Sequence, residues 1–148
     1  MGTPTFSVEV ITLPVSDVDR ALRFYVDQVG FALDVDYSPH DTFRVVQLTP
    51  PGSNCSIQIG KGLTDAPVGS LRNIYLVVAD LGAARSRLLE RGVKVSQIRH
   101  KAPIGAWNGG FAPGIVPEIL VSSPFFACSK ATCLYVAVWP ANCPSRSA

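Results

Sequence analysis

The feature that most constrains the fold of this chain is a weak internal repeat. The segment V-I-T-L-P-V-S-D begins at Val10, and the segment N-I-Y-L-V-V-A-D begins at Asn73. The offset is 63 residues, and four of the eight positions are identical. Both segments are rich in β-branched residues and end at an aspartate suited to begin a helix. A repeat of roughly 60 residues exceeds a solenoid unit and indicates a duplicated half-domain. Chance similarity between two strand–helix units remains the alternative.

An amphipathic helix is predicted after each copy of the repeat. In the first copy the apolar residues from Val18 to Val29 recur at the spacing of one helix face. Ser16 is the expected N-cap, Asp17 and Asp19 suit the positive end of the helix dipole, and Gly30 ends the helix.

The second helix is predicted with Asp80 as its cap and Gly92 as its end. Its apolar face is formed by Leu81, Ala84, Leu88 and Leu89.

Three strands are predicted after the first helix, at Phe31–Tyr37, Thr42–Leu48 and Cys55–Ile59. A turn at Ser38–Asp41 separates the first two, and Pro50-Pro51-Gly52 ends the second. Residues 6–60 therefore have the order β-α-β-β-β, and residues 61–69 are a linker. Residues 70–100 have the order β-α-β, which predicts an α+β fold of two similar modules.

The composition excludes several classes of protein. Of 148 residues, 47% are hydrophobic and 16% are charged, so the chain has enough apolar material for a core. The net charge of +2 comes without a basic stripe, so no nucleic-acid partner is expected. The N-terminus lacks the pattern of a signal peptide, and no apolar run approaches the ~18 residues that span a bilayer. A soluble cytoplasmic protein without a membrane partner is expected.

The four cysteines, Cys55, Cys128, Cys133 and Cys143, do not have the spacing of a zinc site. Three of them lie in the last 21 residues, with no C-x-x-C pair and no histidine among them. Free thiols are expected in a reducing compartment.

Several motifs resemble one known family. The segment L-P-V-S-D-V-D-R-A-L-R-F-Y-V-D-Q-V-G-F, from Leu13 to Phe31, resembles the opening of a module of the glyoxalase/bleomycin-resistance/dioxygenase (vicinal oxygen chelate) superfamily. F-R-V-V-Q-L-T-P-P-G-S, Phe43 to Ser53, resembles the third strand and hairpin of that module, and L-V-V-A-D-L, Leu76 to Leu81, resembles the opening of the second. The resemblance covers residues 6 to about 113.

The resemblance implies two βαβββ modules whose strands form a half-open barrel around one cleft. Module one is expected at about 6–60, module two at about 70–139 and a tail at 140–148, all in one domain. It also implies that metal-dependent members place ligands on the first strand of each module and near its last strand. The equivalent positions here are Val10, Asn73 and, by a looser alignment, Gln58.

These residue types do not form a metal site. Valine has no lone pair, and neutral amide oxygens are weak ligands for transition metals, which prefer imidazole and carboxylate. No metal or other cofactor is therefore expected. Alternation along the strands instead assigns these positions to a ligand pocket. Its predicted lining is Val10, Thr12, Gln58, Asn73, Tyr75 and Trp107.

The remaining chemistry-bearing residues are few. His40 and His100 are the only histidines and are expected to be exposed, in a turn and at a strand end. The Gly-rich segment 105–110 is not followed by a helical pattern, so it is not expected to bind phosphate. It is predicted to be a loop at the mouth of the cleft, where Trp107 either closes over a ligand or packs on the sheet.

The tail departs from the family pattern. From Gly114 onward, 35 residues contain only Glu118, Lys130 and Arg146 as charged groups, and no D-P-D-G-N segment occurs. Either Ile115–Val121 and Cys133–Trp139 are replacement strands, or a shift of reading frame has replaced the original C-terminus.

Three alternative functions are compatible with these sequence features. The first is metal-independent binding of a small organic molecule. The second is a metal-dependent lyase or dioxygenase of the same superfamily with a non-standard ligand set, so enzymatic activity is left open. The third is an accessory or structural dimer with an empty cleft. A homodimer is expected by resemblance.

Overall fold

The computed structural model describes residues 4–71, 74–101, 108, 111–114 and 132–134. These residues belong to two compact units, one before and one after the boundary between Ile74 and Tyr75. Within the described part of the chain no helix is both long and apolar enough to cross a bilayer.

The first unit is built on a four-stranded open sheet. Its strands are β1 (Val10–Thr12), β2 (Ala32–His40), β3 (Phe43–Thr49) and β4 (Ser56–Lys61). Their order is β1-β4-β3-β2, with β1 and β4 parallel and the other neighbours antiparallel. This is the βαβββ arrangement that the sequence predicts for module one.

One helix lies between β1 and β2. It consists of α1 (Val18–Arg23) and a π-helical continuation at Phe24–Val29. Gly30 ends it with a φ of 93°, and its N–H donates to the carbonyl of Tyr25 at 2.8 Å. The predicted end of the helix is therefore confirmed, with a wider last turn than a regular α-helix has.

The predicted cap of this helix is wrong by one residue. Asp17, not Ser16, accepts a hydrogen bond from the backbone N–H of Arg20, at 2.9 Å. The Ser16 hydroxyl instead accepts from the Arg20 guanidinium at 3.1 Å. Either side chain suits a cap, so the backbone conformation at Asp17, which is extended, decides between them.

The core of the first unit lies between the helix and one face of the sheet. Val46, Leu48 and Ile59 are fully buried on that face. Against them the helix contributes the buried Tyr25, whose ring centroid lies 5.3 Å from that of the buried Phe31. Alternation along β3 and β4 places these sheet residues on one face and leaves the opposite face of the sheet uncovered by the helix.

The first hairpin differs from its prediction. β2 continues through Ser38 and Pro39 to His40, and the turn is at Asp41-Thr42. β2 is an edge strand of the sheet, where a proline without a backbone donor is tolerated. The Ser38 hydroxyl donates to the carbonyl of Phe43 at 3.2 Å, which extends the hairpin past the expected turn.

The second unit contains β5 (Leu76–Val78), α2 (Leu81–Glu90), β6 (Arg99–Lys101), β7 (Phe111–Pro113) and β8 (Thr132–Leu134). β5 pairs with β8, and β6 pairs with β7, all antiparallel. β8 overlaps the start of the replacement strand predicted at Cys133–Trp139. The other predicted replacement strand, Ile115–Val121, lies outside the described residues.

Helix α2 begins as predicted and buries a narrower face than predicted. Asp80 accepts from the backbone N–H of Ala83 at 2.8 Å, and Gly92 follows the helix with a φ of 78°. Leu81 and Leu88 are buried, whereas Leu89 is 44% exposed. Leu89 therefore does not belong to the packed face, because successive residues of an α-helix are rotated by about 100° around its axis and Leu89 directly follows the buried Leu88.

Candidate functional site

The candidate site is the face of the first sheet opposite the helix, here called the open face. Strand register assigns its residues, because paired residues point to the same side of a sheet. Val10 pairs with Ser56, Thr12 with Gln58, and Gln58 with Gln47. The predicted pocket residues Val10, Thr12 and Gln58 therefore share one face, as the alternation of the strands requires.

Thr12 and Gln58 contact each other directly. The side-chain amide of Gln58 donates to the Thr12 hydroxyl at 2.6 Å, across the parallel pair of β1 and β4. Both residues, like Val10 beside them, are half-buried. A polar pair held in this way fixes the orientation of the two side chains before any ligand binds.

A second polar cluster on this face was not predicted from the sequence. Thr49 lies opposite Ser56 in continuation of the β3–β4 register, and their hydroxyl oxygens are 2.6 Å apart. The amide of Gln47 donates to the Ser56 hydroxyl at 3.4 Å, and the Thr49 hydroxyl donates to the carboxylate of Asp34. Ser56 is buried, Gln47 and Thr49 are half-buried, and Asp34 is exposed.

A β-bulge brings Asp34 to this cluster. Leu33 pairs with Leu48 and Val35 pairs with Gln47, so Asp34 is the extra residue between two regular pairs. A bulge redirects a side chain that strict alternation would place elsewhere. Alternation in β3 was a sufficient signal for Gln47 and Thr49, but no sequence signal marks the bulge.

Apolar side chains border the polar cluster on β2 and β3. Val35 and Tyr37 pair with Gln47 and Val45 and are 40% and 57% exposed. The open face thus combines an apolar margin with a few ordered hydrogen-bonding groups. That combination is typical of a surface that binds small organic molecules.

The other predicted pocket residues are not brought to this face by the described structure. Tyr75 belongs to the second unit, where it is 43% exposed and alternates with the half-buried Ile74 and Leu76. This alternation agrees with the predicted orientation of the strand. Asn73 and Trp107 lie outside the described residues, as does the Gly-rich segment except for Asn108.

Two residues of the open face, Val10 and Gln58, stand at positions that the family resemblance equates with metal ligands. The Val10 side chain offers no donor atom, and Gln58 offers only a neutral amide oxygen, which is a weak ligand for a transition metal. Among the residues that the structure describes, no group of three or more His, Cys, Asp or Glu side chains is arranged to hold a metal ion.

The histidines take structural positions. His40 ends β2 and is exposed, with its Nδ1 atom 2.9 Å from the Thr42 hydroxyl. His100 was expected to be exposed but is half-buried, and its Nδ1 atom lies 3.0 Å from the carbonyl of Gly114. Among the described residues, Cys55 is a half-buried free cysteine.

The strongest electrostatic interactions lie on the opposite, helix-facing side of the sheet. Arg44 binds Asp36 through two hydrogen bonds of 2.8 and 2.7 Å and binds Asp19 of α1 at 2.7 Å. Hydrogen bonding to this guanidinium holds the pKa of both carboxyls below their usual value. Burial raises the pKa of the Tyr25 phenol. These shifts belong to the packing of the helix on the sheet and not to the open face.

Comparison with known proteins identifies relatives of this architecture. The model of the Glyoxalase/Bleomycin resistance protein/Dioxygenase superfamily matches residues 7–109. TnmS3, an antibiotic binding protein from Streptomyces sp. CB03234, is 35% identical, with a TM-score of 0.55 over 69% of this chain and 79% of that one. A glyoxalase/bleomycin resistance protein from the same organism is 37% identical, with a TM-score of 0.53 over 66% and 80% of the two chains.

A superfamily member from Sphaerobacter thermophilus DSM 20745 is 29% identical, with a TM-score of 0.57 over 67% of this chain and 82% of that one. No curated protein sequence matches with comparable significance. The family match spans well over half of the chain, and the βαβββ order of the first unit agrees with it. The chain therefore belongs to the Glyoxalase/Bleomycin resistance protein/Dioxygenase superfamily.

Proposed function

We propose that this protein binds a small organic molecule of the antibiotic type on the open face, without a metal ion and without catalysing a reaction on it. The observation that carries the proposal is the set of residues on that face. Hydrogen-bonding side chains are ordered there by one another. Val10 and Gln58, at the positions that the family resemblance equates with metal ligands, are poor ligands for a transition metal.

One relative supports binding of a small organic molecule. A protein 35% identical to this chain is described as an antibiotic binding protein, and another at 37% identity as a glyoxalase/bleomycin resistance protein. A fold that hosts many functions does not define function by itself, so the residues of the open face carry the proposal. Thr12 and Gln58 can orient a bound molecule by hydrogen bonds, and Val10 and Val35 can contact its apolar part.

A thermal-shift screen of structurally diverse antibiotics against the full chain tests the proposal. A compound present at ~100 times its Kd stabilises the folded state by ~2.7 kcal/mol, which corresponds to a rise in Tm of about 5–10 °C. For each compound that raises the Tm, T12V is expected to reduce the shift, because it removes the acceptor of the Gln58 amide. T42V is the matched control, since Thr42 lies at the hairpin turn away from the open face.

Metal analysis of protein purified without chelator, then incubated with Zn, Ni, Mn or Fe(II), completes the test. We expect no metal above background and no dependence of compound binding on chelator. Stoichiometric metal that is lost in Q58L would contradict the proposal and favour a lyase or dioxygenase. A screen without any stabilising compound would favour the accessory role instead.

A further inference from the structure

The second polar cluster on the open face has a definite direction of hydrogen bonding, which follows from counting protons. As a carboxylate, Asp34 only accepts hydrogen bonds, so the single hydroxyl proton of Thr49 points to it. The 2.6 Å contact between Thr49 and Ser56 then requires the Ser56 hydroxyl to donate to Thr49. Ser56 in turn accepts from the Gln47 amide at 3.4 Å.

The four residues therefore form a one-way chain of hydrogen bonds, from Gln47 through Ser56 and Thr49 to Asp34. Bonds aligned in one direction polarise one another, and the negative charge at the end of the chain favours this alignment. Both hydroxyl protons are committed within the chain. At this end of the open face the Asp34 carboxylate keeps free lone pairs, and the Gln47 amide keeps its carbonyl oxygen and a second N–H. Of these groups, Asp34 carries the charge.

The position of Asp34 suits contact with a ligand. Asp34 is the bulged residue of β2, and its side chain is exposed although it is tied to Thr49. Its neighbours Val35 and Tyr37 on the same strand present exposed apolar surface on the open face. A negative charge, held in place beside apolar side chains, is complementary to a cation attached to an apolar body.

We infer that the bound molecule carries a protonated amine next to an aromatic or aliphatic ring system, and that Asp34 is the residue that selects for the amine. This inference rests on the proposed binding function. The ammonium group donates to the Asp34 carboxylate, and the ring system covers Val35 and Tyr37. Thr49 and Ser56 act as positioning residues, because they hold the carboxylate without providing a proton to the ligand.

Three probes of nearly equal shape test the inference on the full chain: 1-naphthylmethylamine, which is cationic at pH 7, neutral 1-naphthylmethanol and anionic 1-naphthoate. Binding is measured by titration with detection of the backbone amides of β2 and β3 in ¹H–¹⁵N NMR spectra, which also locates the bound probe. We expect the amine to bind most tightly and the carboxylate least tightly, with shifts centred on Asp34, Val35 and Tyr37.

The decisive variant is D34N, which keeps the shape and an oxygen acceptor for Thr49 but removes the charge. It is expected to weaken binding of the amine by about tenfold, which is the magnitude of a hydrogen bond to a charged group. The affinity for the neutral probe is expected to change by less than about twofold. D65N removes the same charge from an exposed linker residue outside the strands of the sheet and is expected to leave binding of the amine unaffected.

The outcomes separate this inference from the proposed function. Equal binding of the three probes, or an unchanged affinity of D34N for the amine, would overturn the assignment of Asp34 while leaving small-molecule binding intact. An equal loss in D34N and D65N would show a general effect of net charge and would also overturn it. If neither the probes nor the antibiotic panel bind to the wild-type protein, both the inference and the proposed function fail.

Discussion

Replacing Arg44 with methionine is expected to destabilise the first unit in a manner that depends on pH. The guanidinium of Arg44 joins Asp36 of β2 by two hydrogen bonds of 2.8 and 2.7 Å and reaches Asp19 of α1 at 2.7 Å. Methionine keeps much of the apolar stem that lies along the sheet but removes the charge and the five donors.

The magnitude follows from geometry and exposure. The side chains of Arg44 and Asp36 are 20% and 33% exposed, so solvent screens their attraction only in part. Exposed ion pairs contribute ~0.2–1 kcal/mol, and two-point geometry places this pair at the upper end of that range. We therefore expect the free energy of unfolding to fall by about 1 kcal/mol at pH 7. Asp19 is 64% exposed, and its pair is expected to add little.

The sign of the pH dependence follows from the lowered pKa values of both carboxyls. The ion pairs stabilise the folded state fully above about pH 3.9, the usual pKa of an aspartate in the unfolded chain. This stabilisation is lost as the pH falls through the lower pKa of the same carboxyl in the folded state. The difference between wild type and R44M should therefore be largest near neutral pH and should shrink below about pH 4.

Urea unfolding followed by circular dichroism, at pH 7 and at pH 3, measures this difference. K61M is the matched control, because Lys61 pairs with Arg44 across β3 and β4 and has the same charge, but is exposed. If R44M and K61M were equally stable at pH 7, or if the deficit of R44M were unchanged at pH 3, the ion-pair account would be wrong.

Two further substitutions test the fold. G60A is expected to lower the free energy of unfolding by about 3 kcal/mol, because a Cβ built on Gly60 would lie 1.9 Å from the backbone oxygen of Arg44. G82A is the control in the same unfolding assay, since a Cβ on Gly82 meets only a side-chain oxygen, at 3.4 Å. D17A is expected to lower the free energy of unfolding by about 1 kcal/mol, because it removes the N-cap, and S16A by clearly less. A larger loss in S16A than in D17A, measured by thermal melting, would identify Ser16 as the cap.

The features that could be predicted from the sequence are those that depend on neighbouring residues. Asp80 and Gly92 bound α2 as expected, and Gly30 ends the first helix, because caps and left-handed residues act within one turn of chain. The pairing of Thr12 with Gln58 was also foreseen in part. Period-two alternation placed Thr12 with Val10 on one face of β1, and the family resemblance added Gln58. The parallel register of β1 and β4 brings the side chains of Thr12 and Gln58 to 2.6 Å.

The sequence by itself thus determined the order of elements in the first unit and the family. Only the tertiary structure decided the polar chain that ends on Asp34. That chain depends on the antiparallel register of β3 and β4, which sets Thr49 opposite Ser56, and on a bulge in β2. Register and bulges are fixed by packing of the whole sheet against its helix, and a slip of one residue would turn every side chain of a strand to the other face.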